Sequence, residues 1–147
     1  MSNNVNPVPE GYQTATPYLV VNGAANAIEF YKSAFGAEEA YRIDGPGGRI
    51  AHADIVIGTS HVMLADPQNG DAKGASSSTF LYVDDVDALF NRAVSAGAKE
   101  VQAVQDMFWG DRYGRLIDPF GQEWQIATHK EDVSGEEMKR RMAALGR

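Results

Sequence analysis

Cysteine is absent from the 147-residue sequence, which excludes disulfide bonds, thiolate metal ligands and cysteine nucleophiles. Basic residues are few: 13 lysines and arginines stand against 20 aspartates and glutamates, and the formal net charge is -7. Because negative charge opposes binding to phosphate backbones and anionic lipids, we expect no nucleic-acid partner and no membrane partner. No apolar run reaches the length of a membrane span, and residues 1–10 lack the basic and apolar regions of a signal peptide. These absences predict a soluble, cytoplasmic protein.

The order of predicted elements is repeated along the chain. Residues 14–66 are expected to form β-α-β-β-β, and residues 78–129 are expected to form the same order again. A polar stretch at 67–77, rich in Gly, Ala and Ser, would join these modules as a flexible loop, and residues 1–13 would form a loose N-terminal arm. The predicted fold class is therefore α+β, with two β-α-β-β-β modules and a short C-terminal helix in a single domain, 14–147.

The clearest element is a β-hairpin near the end of the second module. Strand 112–117 runs into the turn Asp118-Pro119-Phe120-Gly121, in which proline fixes φ and glycine accepts a positive φ. Strand 123–128 then returns. Because side chains alternate along a strand, Trp124 and Gln125 should lie on opposite faces of the sheet.

Two helices are predicted from apolar residues at helical spacing, each ended by a glycine. The first ends before Gly36 and would bury Ala24, Ala27, Ile28, Tyr31 and Phe35. The second begins after Asp84 or Asp85, ends at Gly97, and would bury Val86, Leu89, Phe90, Ala93 and Val94.

A third helix is predicted at the C-terminus. Ser134 and Glu137 have the spacing of a capping box, and Met138, Met142 and Leu145 recur at helical spacing. We expect this helix to dock on its own domain, and docking on a partner subunit is the alternative.

An internal repeat relates the two modules. The interval from Val21 to Val83 equals the interval from Val62-Met63-Leu64 to Trp124-Gln125-Ile126. The Gly-Ala pair after each helix recurs at an interval that is shorter by a single position. Identity between the halves is low, so the assignment depends on the shared order of elements.

An ordered set of segments between residues 14 and 142 resembles one known family. The segments are Pro17-Tyr18-Leu19-Val20-Val21, Ala27-Ile28-Glu29-Phe30-Tyr31, Ala34-Phe35-Gly36-Ala37, Ile50-Ala51-His52-Ala53-Asp54, Trp109-Gly110-Asp111-Arg112, Asp118-Pro119-Phe120-Gly121, Ala127-Thr128-His129 and Glu131-Asp132-Val133. Together with the two modules, they resemble the glyoxalase / bleomycin-resistance / extradiol-dioxygenase superfamily, also called vicinal oxygen chelate proteins, and its PhnB-like branch. The resemblance implies sheets that enclose a cleft, and a homodimer. It does not imply one chemistry, because this fold hosts lyases, dioxygenases, epimerases, thiol transferases and drug-binding proteins.

The resemblance also points to the positions where metal-using members hold their ligands. These positions lie on the first and last strand of each module and correspond here to Thr16, Met63, Ser78 and Gln125. A catalytic divalent ion needs carboxylate or imidazole ligands, and none of these four residues has one. We therefore predict no metal at this site and no cofactor, and leave open a divalent metal bound elsewhere.

His52 and Asp54 lie two residues apart on one predicted strand and should share a face. A carboxylate beside an imidazole can hold it in place for acid–base catalysis. His52 and Asp54 are therefore the candidate catalytic residues, and a surface or subunit-interface pair is the alternative. His61 and His129 are expected to have surface or structural roles.

Aromatic residues are expected to line the cleft. Tyr18, Phe80 and Tyr82 should share a face with Ser78, and an aromatic cleft suits a small planar or hydrophobic molecule. Trp109 and Arg112 could bind a planar or anionic ligand at its mouth. The candidate ligand-binding residues are thus Tyr18, Ser78, Phe80, Tyr82, Trp109, Arg112 and Gln125. The alternatives are core packing for the aromatic residues and a surface ion pair for Arg112.

Three functions are compatible with these patterns. The preferred hypothesis is a protein that binds a small planar or hydrophobic molecule in an aromatic cleft, without the usual metal. The alternative is a lyase or isomerase of the same superfamily that uses a histidine–carboxylate base or a divalent metal at another position. A third hypothesis is a structural or dimerisation module, in which side chains would fill the cleft.

Overall fold

The chain divides into two compact units, residues 1–73 and 74–147. Each unit contains one four-stranded sheet and a helix that follows its first strand, so the predicted order β-α-β-β-β is confirmed in both. The residues described by the computed structural model are 7–67, 70 and 78–145.

The first unit forms a mixed sheet. Its elements are β1 (Tyr18–Val20), α1 (Ala24–Phe35), β2 (Glu38–Asp44), β3 (Ile50–Ile57) and β4 (Ser60–Ala65), with one 3-10 turn at Pro46–Gly48 between β2 and β3. The strand order is β1-β4-β3-β2. β1 runs parallel to β4, and the other pairs are antiparallel.

The second unit repeats this sheet and adds a helix. Its elements are β5 (Ser78–Tyr82), α2 (Val86–Ala96), β6 (Lys99–Asp106), β7 (Asp111–Ile117), β8 (Glu123–His129) and α3 (Gly135–Ala144). The strand order is β5-β8-β7-β6, with β5 parallel to β8. None of the helices in the described ranges combines the length and the apolar character that a membrane crossing requires.

The strand register confirms the internal repeat. Tyr18 lies opposite Met63 in the first sheet, and Phe80 lies opposite Gln125 in the second. The interval from Tyr18 to Phe80 equals the interval from Met63 to Gln125. Equivalent positions of the two modules therefore occupy equivalent places in their sheets.

The helices bury the faces that their spacing predicts, with two exceptions in α2. All five apolar residues predicted for the buried face of α1 are buried. In α2, Val86, Phe90 and Ala93 are buried, whereas Leu89 is half-buried and Val94 is exposed. In the hairpin, Trp124 and Ile126 are fully buried whereas Gln125 is half-buried, as the alternation predicts.

A side chain near the end of the last strand of each module caps that module's helix. In the first unit, the Asp66 carboxylate accepts hydrogen bonds from the amides of Gly23 (2.8 Å) and Ala24 (3.2 Å). In the second unit, the Thr128 hydroxyl accepts one from the amide of Val86 at 2.8 Å. Both side chains satisfy amides that a helix N-terminus leaves unpaired. Asp66 and Thr128 are separated by the same interval as the other repeat pairs, so the two caps are repeat equivalents.

The N-terminal region differs from the prediction. The first strand spans only Tyr18–Val20, although the first module was expected to begin at residue 14, because Pro17 cannot donate to a strand ladder. Within the predicted loose arm, Tyr12 and Gln13 are anchored: Tyr12 bonds to Asp54, and the Gln13 amide donates to the carbonyl of His61 at 2.9 Å. Residues 1–6 of the arm, and 68, 69 and 71–77 of the predicted loop, lie outside the described residues.

The C-terminal helix forms as predicted and docks on its own unit. The Ser134 hydroxyl accepts from the amide of Glu137 at 3.1 Å, which confirms the cap. Attachment comes from Arg141, which donates to the carbonyl of Phe108 at 3.0 Å and to the carboxylate of Glu131 at 2.7 Å. The predicted apolar stripe contributes less, since Met142 and Leu145 are exposed.

Candidate functional site

One face of the second sheet carries most of the predicted ligand-binding residues. Trp124 and Gly114 point towards the core on the α2 side, since a side chain at Gly114 would meet Phe90 of α2. Alternation places the neighbouring residues on the opposite face, and the register sets Gln125 between Phe80 and Arg115. We call this the aromatic face, defined by Ser78, Phe80, Tyr82, Tyr113, Arg115 and Gln125.

A row of rings forms the apolar part of the aromatic face. The Phe80 ring lies 4.9 Å from that of Tyr82 and 5.9 Å from that of Tyr113, the second pair being stacked. Trp109 packs edge-on against Tyr113 at 5.3 Å. Tyr113 is buried, whereas Phe80 is 39% and Tyr82 63% exposed. The row therefore presents two accessible rings above a packed aromatic base, which suits stacking with a planar molecule.

Gln125 lies in a chain of hydrogen bonds across the same face. The Tyr113 hydroxyl donates to Gln125 Oε1 at 2.6 Å, and Gln125 Nε2 donates to Ser78 Oγ at 2.7 Å. Burial raises the pKa of Tyr113, so its hydroxyl keeps the proton that it donates. The amide is thus held in one orientation by residues of two other strands.

Asp111 is a buried carboxylate at the edge of this face and makes three side-chain hydrogen bonds. Oδ2 accepts from the Tyr82 hydroxyl and from Trp109 Nε1, both at 2.9 Å, and Oδ1 pairs with His129 Nδ1 at 2.8 Å. The bond to Asp111 raises the pKa of Tyr82. Asp111 therefore positions two of the predicted ligand-binding aromatics, Tyr82 and Trp109.

His129 connects the end of β8 to the segment that follows it. Its Nε2 pairs with Asp132 at 2.8 Å while Nδ1 pairs with Asp111. Hydrogen bonds to Asp132 and Asp111 raise the pKa of His129, because both carboxylates stabilise the imidazolium. His129 therefore has a structural role: it links Asp111 of β7 to Asp132 in the segment after β8.

The raised pKa of His129 makes its contribution to stability depend on pH. A group whose folded pKa is raised stabilises fully below its unfolded value, about 6.5 for histidine, and loses that effect as pH rises through the folded pKa. The melting temperature of the wild type should therefore exceed that of His129→Gln by more at pH about 6 than at pH about 9. His52→Gln is the control, since the His52 nitrogens face tyrosine hydroxyls rather than carboxylates. A gap that widens towards alkaline pH would contradict the prediction.

Arg112 does not lie on the aromatic face, which corrects its prediction as a ligand-binding residue. It is on the helix side of β7, where Nε and NH2 donate to the Asp87 carboxylate of α2 at 2.7 and 3.0 Å. Its NH1 donates to Asp106 at 3.3 Å. These bonds hold the pKa of Asp87 below its usual range. Arg112 thus fastens α2 to the sheet, as the ion-pair alternative predicted.

The predicted catalytic pair His52–Asp54 does not form, although the two residues share one strand. Asp54 is fully buried and pairs with His61 Nδ1 at 2.8 Å and with the Tyr12 hydroxyl. His52 instead lies between two hydroxyls, with Tyr18 at 3.2 Å from Nδ1 and Tyr41 at 3.1 Å from Nε2. The predicted pairing of their side chains is wrong because His61 and the N-terminal segment occupy the Asp54 oxygens.

The histidine–carboxylate pair of the first unit is therefore His61–Asp54. With Nδ1 bonded to a buried carboxylate, His61 Nε2 has the orientation of a general base. The Tyr12 ring stacks on the imidazole at 3.8 Å, and the His61 side chain is 16% exposed. The bond to Asp54, burial and the Asp54 charge raise the pKa of Tyr12 to about 12, so Tyr12 covers the pair as a neutral phenol.

The four positions aligned with the metal ligands of relatives do not fit a divalent ion. The Gln125 amide is occupied by Tyr113 and Ser78. Thr16 donates to the carbonyl of Gln13 at 3.3 Å, and Thr16 and Met63 line a cavity of about 420 Å³ in the first unit. Across the described residues, no cluster of three or more His, Asp or Glu side chains could hold a metal. The donors at these positions are neutral or soft, which is the wrong chemistry for such a centre.

Two residues of the site were missed by the sequence reasoning: Tyr113 and Asp111. Alternation along the strand places Arg112 and Arg115 on opposite faces, and of these two the sequence analysis chose Arg112. The hairpin register pairs Gln125 with Arg115 and so puts Arg115 on the face of Gln125. Tyr113 follows by alternation along β7. No local pattern marks Asp111 as buried, since its three partners come from β5, β8 and the segment before β7.

Comparisons with known proteins identify the family of this chain. The model of the Glyoxalase/Bleomycin resistance protein/Dioxygenase superfamily matches residues 13–126. The uncharacterised protein Rv0887c of Mycobacterium tuberculosis is 42% identical over 141 residues, which cover 89% of this chain and 83% of that protein.

Solved structures share the fold. TioX from Micromonospora sp. ML1 is 25% identical with a TM-score of 0.65, covering 83% of this chain and 100% of that one. A PhnB protein from Bacillus cereus is 22% identical with a TM-score of 0.62, covering 79% of this chain and 99% of that one. At that identity the likeness concerns the fold alone.

Proposed function

Because the chain belongs to the Glyoxalase/Bleomycin resistance protein/Dioxygenase superfamily, we propose that it binds a small planar or hydrophobic molecule on its aromatic face, without a catalytic metal. The observation that carries this proposal is the row of rings with Phe80 and Tyr82 accessible above the buried Tyr113. An accessible row of rings offers a planar molecule both stacking and apolar contact.

Two features support ligand binding over a purely structural role for this face. Phe80 and Tyr82 keep a large exposed area although they belong to a strand of a folded sheet, whereas core rings such as Tyr31 are fully buried. The polar groups beneath them are held in place, since Gln125 and Tyr82 are oriented by hydrogen bonds from or to other strands. Prearranged rings and dipoles lower the cost of ordering a site when a ligand binds.

Phe80→Ala should weaken the binding of a planar aromatic probe by about tenfold, because it removes the central ring of the row. The probe is naphthalene carboxamide, titrated against intrinsic tryptophan fluorescence in the presence of EDTA. Trp124 is fully buried, so quenching by a bound probe reports on Trp109, which packs on Tyr113. A Trp109→Phe variant should lose the quenching, and calorimetry measures its affinity for the probe directly.

The matched control is Val94→Ala, which removes an exposed apolar side chain from α2 of the same unit. Adamantane carboxamide, similar in size but not planar, should bind more weakly than the naphthalene compound. Equal affinity of wild type and Phe80→Ala for the naphthalene compound would contradict the proposal, as would binding that is lost with EDTA.

The lyase or isomerase alternative stays a proposal with less support. Its base would be His61 rather than His52, since His61 is paired with Asp54. Tyr12 stacks on His61 and bonds to the same carboxylate, which limits the access of a substrate to this pair. The homodimer, the cleft and the cytoplasmic location also stay predictions from sequence and family resemblance.

A further inference from the structure

Arg115 is the cation of the aromatic face, and we propose that the molecule bound there carries an anionic oxygen, in the simplest case a carboxylate on a planar ring, that pairs with this guanidinium. This inference rests on the proposed function of the same face. It names the chemical class of the ligand: a planar aromatic acid rather than a neutral aromatic compound.

The guanidinium of Arg115 has fewer hydrogen-bond partners than donors. Its Nε is a buried atom with no hydrogen-bond partner in the described part of the chain. Its ion pair with Glu123 is loose, with NH1 and Oε1 3.4 Å apart. The Arg115 side chain is 39% exposed, and a guanidinium has five donors in a rigid fork. Terminal N–H donors beyond the one that faces Glu123 are therefore available to an incoming acceptor.

Arg112, the other arginine of β7, has a structural role and provides a comparison. Arg112 makes two short bonds to Asp87 and a third bond to Asp106. It is thereby committed to fastening α2. Arg115, in contrast, has only the long ion pair with Glu123 among the described residues.

The position of Arg115 matches the apolar part of the proposed site. It lies directly opposite Gln125 in the register, and Phe80 lies opposite Gln125 from the other side. Burial raises the pKa of Tyr113, and the positive charge of Arg115 partly opposes this rise. The guanidinium is therefore close enough to interact electrostatically with the Tyr113 hydroxyl. An acid group on a ring stacked at Phe80 is thereby directed towards a cation on the same face.

The chemistry of the pair favours a carboxylate over a neutral acceptor. Carboxylate and guanidinium are both planar and can form two parallel N–H···O bonds, which are shorter and stronger than bonds between neutral groups. Glu123 is the competitor already present beside Arg115. Its long contact distance leaves it replaceable by an external carboxylate with better geometry.

The test compares two matched probes, naphthalene carboxylate and naphthalene carboxamide, on four proteins: wild type, Arg115→Met, Arg115→Lys and Arg112→Met. We expect the wild type to bind the carboxylate about tenfold more tightly than the carboxamide, because a bond to a charged group is stronger than one to a neutral group. Arg115→Met should remove that preference and leave the affinity for the carboxamide nearly unchanged. Arg115→Lys should keep part of it, since the charge remains but the fork is lost.

Arg112→Met is the matched control, because it deletes a guanidinium from the same strand on the opposite face. The preference for the carboxylate should persist in this variant. Loss of the preference in Arg112→Met, or its persistence in Arg115→Met, would overturn the assignment. Circular dichroism and melting temperature verify that each variant is folded.

The Glu123→Gln substitution tests Arg115 through an expected increase in affinity for naphthalene carboxylate. If Arg115 had only a structural role, this increase would not occur. Removing the competing carboxylate should tighten the binding of naphthalene carboxylate and leave that of the carboxamide unchanged. The outcomes also separate this inference from the proposal beneath it. Equal binding of both probes, dependent on Phe80, overturns the anionic ligand and keeps the aromatic site, whereas failure of both probes to bind overturns the two together.

Discussion

Replacing Trp124 by alanine is expected to lower the free energy of unfolding by about 3–5 kcal/mol, the usual range for truncation of a large buried aromatic residue. Trp124 has no exposed surface and heads the largest fully buried side chains of the described residues. Its removal leaves a cavity on the helix side of β8 that neighbouring side chains can fill only in part. Urea denaturation followed by far-UV circular dichroism measures the loss.

The same substitution should also weaken the turn that begins at Asp118. The Asp118 carboxylate is buried and accepts from the amides of Phe120 (2.8 Å) and Gln122 (3.0 Å) and from Trp124 Nε1 (2.9 Å). Without the indole, the Asp118 carboxylate loses this charge-assisted bond, and a hydrogen bond to a charged group contributes about 1.5–3 kcal/mol. The cavity and the lost hydrogen bond therefore act together.

Trp124→Phe separates these two effects and is the variant to measure if Trp124→Ala fails to fold. Phenylalanine fills most of the space but cannot donate to Asp118. We expect it to cost clearly less than alanine, about 1–3 kcal/mol. A loss below about 1 kcal/mol for Trp124→Ala would contradict the assignment of Trp124 to the core.

The hairpin shows why much of this fold could be predicted from sequence. Asp118-Pro119-Phe120-Gly121 fixes a turn, alternation along the strand assigns Trp124 and Gln125 to opposite faces, and the structure has both. The internal repeat also gave information on strand pairing. The same sequence interval relates Tyr18 to Phe80 and Met63 to Gln125, and the structure pairs Tyr18 with Met63 and Phe80 with Gln125. Turn residues and the alternation of side chains along a strand are properties of short segments, so they can be recognised without knowledge of the tertiary structure.

The side-chain partners could not be predicted in the same way. His52 and Asp54 share a face, but each residue of a sheet also has neighbours on both adjacent strands, and sequence alone does not give that register. Asp54 is hydrogen-bonded to His61 on β4 and to Tyr12 of the N-terminal segment. The predicted pair was the nearest in sequence and not the nearest in space.

Arg112 and Arg115 illustrate the same limit for the ligand-binding site. Alternation places them on opposite faces of β7, but which face meets the helix is decided by packing. Packing around Gly114 decides it in the structure. A side chain there would collide with Phe90 and Val104, so its face, which is also the face of Arg112, is the one that α2 covers. The functional candidate on this strand is therefore Arg115.

Gly110 occupies a position where two independent constraints forbid a side chain. Its φ is 100°, a region that residues with a Cβ rarely adopt. A Cβ there would overlap the carbonyl oxygen of Glu131 and approach Val133 Cγ2 at 3.0 Å. The Gly110 carbonyl accepts from the amides of Lys130 (2.8 Å) and Glu131 (3.1 Å), so this contact joins the start of β7 to the segment after β8.

Gly110→Ala should therefore lower the free energy of unfolding by about 3 kcal/mol or more, the sum of a backbone penalty and a clash with backbone atoms that cannot move aside independently. Gly121→Ala is the matched control: its φ is 87°, but a Cβ there meets no atom within 4 Å in the described ranges. It should cost only the backbone term of about 1 kcal/mol. Urea denaturation of the two variants isolates the clash as their difference. Equal losses would mean that the segment after β8 shifts freely, and the attachment of His129 to Asp111, the residue next to Gly110, would then not be rigid.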